Sequence, residues 1–100
     1  MHQRLTRIQD DLRRVRASER VLAEQASYLG ELADDAQMRK LVAQTPLADR
    51  DWRVAASDAD RYRALLDDAR HQAQQLIEER DALLEKLFEL EAAPQRRNDT

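Results

Sequence analysis

The chain has 100 residues, a formal charge of −3, 37% charged side chains, one glycine, two prolines and no cysteine. Disulfide and thiol chemistry are excluded, and a mixed sheet with many tight turns is hard to build from this composition. With four aromatic residues, Tyr28, Trp52, Tyr62 and Phe88, the chain favours a thin, elongated core over a thick one.

The first predicted element is a long helix over residues 2–44. Its apolar or small residues alternate at intervals of three and four. Leu5, Leu12, Glu19, Ala26 and Ala33 fall at heptad position a, and Ile8, Val15, Leu22, Leu29 and Ala36 at position d. That rhythm is the seam of a coiled coil. Glu19 is its one charged intruder. Gly30 lies inside the element at a cost of about 1 kcal/mol relative to alanine.

Next comes a turn over 45–49. Thr45 suits a helix N-cap and Pro46 a first helical turn. A second helix over 50–93 then carries Trp52, Ala55, Ala59, Tyr62, Leu66, Ala69, Ala73, Leu76, Leu83, Leu87 and Leu90 in the same rhythm, with Arg80 as its intruder. Pro94 is expected to end it, leaving 94–100 as a disordered tail. A short connection makes the two helices antiparallel neighbours.

The fold class is therefore all-α: an antiparallel two-helix coiled-coil hairpin. Pairing an a residue with a d residue fixes the sum of facing residue numbers at 88, 95 or 102. A turn centred near 47 or 48 selects 95, which sets Leu5 against Leu90 and Leu12 against Leu83. It also brings Glu19 and Arg80 together as a register pair. Tyr28, Leu32, Leu65, Ile77, Leu84 and Phe88 lie off the seam and offer a second contact face. Burying it between two hairpins would give a homodimeric four-helix bundle.

Candidate chemistry is sparse. His71 with Asp67 and Asp68 one turn earlier reads as a solvated helix face rather than a metal site. Adjacent acidic pairs such as Asp34 and Asp35 point about 100° apart and form no dyad. No phosphate-binding loop, HExxH or nucleophile-elbow motif occurs. The reading is non-enzymatic, with no cofactor and no metal. Arg4, Arg7, Arg13, Arg14, Arg16 and Arg20 make the N-terminal half basic, but the mild negative net charge disfavours nucleic acid as a partner. No apolar run reaches the about 20 residues of a membrane span, which suggests a soluble, cytoplasmic chain.

Asp49, Arg50, Asp51, Trp52 and Arg53 cluster beside the turn as a partner-binding tip, since Trp and Arg are favoured in interface hot spots. In outline the chain resembles small type VII secretion substrates, which are helical hairpins with a Trp at the turn. Trp52-Arg53-Val54 lacks the glycine of their Trp-x-Gly turn, and their C-terminal Tyr-xxx-Asp/Glu signal is missing. Asp49 and Asp51 resemble the acidic hairpin tip of bacterial transcript-cleavage factors, which insert into RNA polymerase. That family's globular domain has no counterpart here. The leading expectation is a self-associating interaction module or scaffold that also engages an unidentified protein. The alternative is a regulator that inserts its tip into a larger machine.

Overall fold

A computed structural model describes residues 2–98, with side chains through Ala92. Two helices account for the described residues: α1, His2–Ala43, and α2, Pro46–Asn98. They lie against each other in a rod of 83 × 20 × 13 Å, the all-α hairpin expected from the heptads. α2 is 53 residues long and α1 is 42. At 1.5 Å per residue, α2 alone spans about 80 Å, so it sets the length of the rod.

The turn is shorter than the sequence suggests. Only Gln44 and Thr45 are non-helical, and residues 46–49, expected in the turn, form the first turn of α2. Gln44 takes a left-handed conformation with φ of 51°, and its amide donates to the Lys40 carbonyl at 3.0 Å. This is the αL C-cap, a position that usually selects glycine. Thr45 then starts the next helix. Its Oγ1 accepts the Ala48 amide at 3.2 Å, and its carbonyl accepts the Asp49 amide at 3.1 Å. Pro46 at the first helical position gives up an amide that had no helical partner anyway.

Moving the turn moves the register. Two ion pairs cross between the helices, Lys40 Nζ to Asp49 at 3.2 Å and Glu19 to Arg70 at 3.7 Å. Both sum to 89, one unit from the allowed seam value of 88. The expected sum of 95 is corrected by one heptad, because the turn is centred near 44.5 rather than 47.5. Leu12 therefore falls in the layer of Leu76, Leu22 in that of Leu66, and Leu5 in that of Leu83. The Glu19–Arg80 pair does not form: Glu19 meets Arg70, and Arg80 meets its neighbour Asp81 at 3.2 Å.

The corrected register also explains the packing. In three layers toward the turn it sets a small residue against a large one, Ala26 against Tyr62, Leu29 against Ala59, and Ala36 against Trp52. Ala36 and Ala59 are 2% and 0% exposed, so these alanines are where the backbones close up. Every predicted seam position from Leu5 to Ala36 is buried or half-buried, and so is every one from Trp52 to Leu87. Leu90 is the exception at 57% exposed. With a sum of 88 it lies beyond the start of α1, on an overhang that α1 does not cover.

α2 also runs through Pro94 to Asn98, past the stop expected near Ala93. Proline removes the amide that would reach the Leu90 carbonyl, but on an exposed overhang water satisfies that group. The side chains of 93–100, and with them most of the expected tail, lie outside the described residues.

Gly30 is not a bend point required by packing. A Cβ built there meets nothing within 4 Å, and its φ is not positive. Gly30→Ala is expected to raise stability by about 1 kcal/mol through helix propensity alone. A urea midpoint that stays put or falls would show that the glycine has a structural role.

Candidate functional site

The geometry singles out two regions, the turn end and one flat face of the rod. At the turn end, Lys40 in the last turn of α1 and Asp49 in the first turn of α2 lie opposite each other, where both also complement the helix dipoles. Lys40 Nζ sits 4.0 Å from the centroid of the Trp52 ring and 3.2 Å from Asp49 Oδ1. Asp49 also pairs with Arg53, one helical turn on. The indole is half-buried in the seam beneath the ammonium group. Of the five expected tip residues, Asp49, Trp52 and Arg53 thus form a clasp with Lys40 that holds the helices together. Arg50 and Asp51 remain exposed. The sequence reading missed Lys40, although its place exactly one heptad after Ala33 marks it as the last a position.

The hydrogen bond from Lys40, reinforced by Arg53, holds the Asp49 carboxyl below the ordinary aspartate range. A depressed folded-state pKa contributes stability that is complete above the unfolded value and is lost as pH falls through the folded one. The difference in melting temperature between the native chain and Asp49→Asn should therefore be constant above about pH 5 and close below about pH 4. A difference that is the same at pH 3 and pH 7 would mean that the carboxylate charge does not hold the clasp.

The off-seam apolar residues divide between two faces. By heptad position, Tyr28, Leu32 and Leu65 lie on one flat face of the hairpin, and Ile77, Leu84 and Phe88 on the other. The surface hollows agree. Tyr28 lines one with Gln25, Leu29, Asp58, Arg61 and Tyr62. Ile77 lines another with Arg16, Ala23, Arg70 and Ala73. The six residues therefore do not make one continuous patch. Ile77 and Leu84 are half-buried against α1, whereas Phe88 is 71% exposed near the overhang.

The face with Tyr28 is the larger apolar surface. Val21, Val42, Leu47 and Val54 lie on it toward the turn, interleaved with Gln25, Asp35, Arg39, Asp51, Asp58 and Arg61, and all four are exposed, Val42 to 82%. Val42 and Leu47 also line a mostly apolar hollow at the turn with Met38, Ala43 and Ala48. Together with Leu32 and Leu65, seven large apolar side chains from both helices run along the turn half of this face. On the open half the same positions carry Arg4, Arg7, Asp11, Arg14, Asp68, Gln72, Gln75, Glu79 and Lys86. All seven are legible in the sequence as apolar residues off the seam, but not as one face, because neighbours across the hairpin are not adjacent in sequence.

Comparison with protein-family models, curated proteins and solved structures finds no match to this chain. Any functional reading therefore rests on the residues themselves. Among the described residues, no three His, Cys, Asp or Glu side chains converge as a metal site requires, and no helix is long and apolar enough to cross a membrane. Two of the hollows along the rod are open grooves lined by a mixture of charged, amide and apolar side chains.

Proposed function

We propose that this chain is a non-enzymatic helical-hairpin interaction module that acts by self-association. The observation that supports the reading is the apolar stripe on the turn half of one face. Its seven large side chains come from both helices and stay in water in the single hairpin. Scattered apolar surface residues are ordinary, but seven of them gathered on one half of one face, with charged residues between them, support a protein contact there. The hairpin also has a strong reason to gain a second layer. No large side chain among the described residues is fully buried in it, so its own interior is thin. Stacking two such layers encloses a core that neither has alone.

The turn end contributes to this function as a brace rather than as an acidic probe. Asp49 is committed to Lys40 and Arg53, and Trp52 to the seam, so the clasp keeps Val42 and Leu47 in place at the end of the stripe.

The native chain is expected to sediment as a dimer at micromolar concentration, twice the 11.7 kDa of one copy. Leu32→Asp, in the middle of the stripe, should reduce it to monomer while far-ultraviolet circular dichroism keeps its helical signal. Phe88→Asp, on the opposite face, should leave the mass unchanged. A native chain that sediments as a monomer contradicts the reading.

A further inference from the structure

We infer that the second copy packs head to tail, with the two turns pointing in opposite directions and only the turn halves overlapping. The inference rests on the self-association reading and adds the partner's orientation and register. With the rods kept aligned, two flat faces can be related by a two-fold axis in two ways. If the axis runs along the rod, both turns lie at the same end and each α1 stacks on the partner's α2. If it runs across the rod, the turns lie at opposite ends and like helices stack antiparallel.

The charge pattern separates the two. The same-end arrangement lays the open halves on each other along their whole length. Those halves carry no large apolar side chain on this face. There, facing positions would bring Asp11 near Glu79 of the other copy and Arg4 near its Lys86, both like-charged. Like charges forced together in an interface oppose association.

The crossed arrangement leaves the open halves in water and sets five of the seven apolar residues against one another, Tyr28 and Val54 falling beside Asp35 and Asp58 instead. With the axis at Leu32 on α1, the pairing rule of 88 sets it at residue 56 on α2. Leu32 then meets Leu32, and Val21 meets Val42. On α2, Leu47 falls beside Leu65, and Asp51 beside Arg61, so that an opposite-charge pair forms twice. Within one chain Asp51 and Arg61 are ten residues apart on one helix, about 15 Å, so they cannot pair there. Both are exposed, and the nearest acid to Arg61 in its own chain is Asp58 at 4.0 Å.

The overlap is large enough. From Val21 to Val42 the stripe is about 33 Å long, and the rod is 20 Å wide. That is about 660 Å² per copy and about 1,300 Å² in total, within the range of stable specific interfaces.

The arrangement predicts a molecule much longer than either hairpin. Small-angle scattering with mass determination should give a dimer with a maximum dimension of about 130 Å, two 83 Å rods overlapped by about 33 Å. A dimer no longer than one rod overturns the crossed arrangement and leaves self-association standing. A monomer overturns both. Charge reversal gives an independent check. Asp51→Arg should weaken the dimer about tenfold, and adding Arg61→Asp should restore it. A second substitution that leaves the dimer as weak as the first overturns the inference.

Discussion

Leu66→Ala is expected to lower stability by about 2–5 kcal/mol, the usual cost of emptying a buried leucine site. Leu66 is buried in the seam and falls in the layer of Leu22. A two-helix layer is flanked by water rather than by a second shell of core residues, so the neighbouring side chains can relax and the loss should fall toward the lower end of that range. The whole fold is stabilised by about 5–15 kcal/mol if it behaves as an ordinary domain, so the loss is a large share. Urea titration at fixed protein concentration measures it, the fixed concentration being needed because dimer formation adds to apparent stability. Leu65→Ala supplies the contrast. Leu65 is the adjacent residue but lies exposed on the stripe, so its truncation should change the dimer affinity more than the unfolding of the hairpin. Equal effects of the two substitutions on unfolding would refute the seam assignment, which buries one and exposes the other.

Trp52→Ala is expected to cost about 2–3 kcal/mol, below the 3–5 kcal/mol of a fully buried aromatic because the indole is only half-buried. Two contributions combine. One is the packing of the ring against its layer, where Ala36 leaves room for it. The other is the Lys40 ammonium at 4.0 Å from the ring centroid, worth about 0.5–1 kcal/mol at a partly exposed site. A double-mutant cycle with Lys40→Met and Trp52→Leu separates them, and its coupling should equal the second contribution. The cycle is read by circular dichroism. In the native chain Trp52 is the only tryptophan, so its fluorescence reports opening of the turn end alone. A coupling of zero would mean that the ammonium interacts only with Asp49.

The turn illustrates how local signals compete. Thr45 and Pro46 carry the start signals of α2, a hydroxyl to accept an orphan amide and a residue that lacks one, yet the helix expected from the sequence starts only at residue 50. Gln44 gave no such signal. Left-handed caps are ordinarily glycine or asparagine, so a glutamine with φ of 51° is not anticipated by residue type. Reading the turn as five residues instead of two displaced its centre by about three residues. A displacement at the turn counts twice in the pairing sum, and the result was an error of one full heptad.

The sequence by itself determined two amphipathic helices, the residues on each seam, the cap at Thr45 and the antiparallel return of the chain, because each depends on a period or a residue type that is local. Tertiary structure decided the register, the Glu19–Arg70 and Lys40–Asp49 pairs, the uncovered end of α2 and the division of the outer apolar residues between two faces. The physical reason is that a heptad repeat looks the same after a slide of seven residues. Only the geometry of the chain reversal, and the fit of small residues against large ones across the seam, distinguishes one slide from the next.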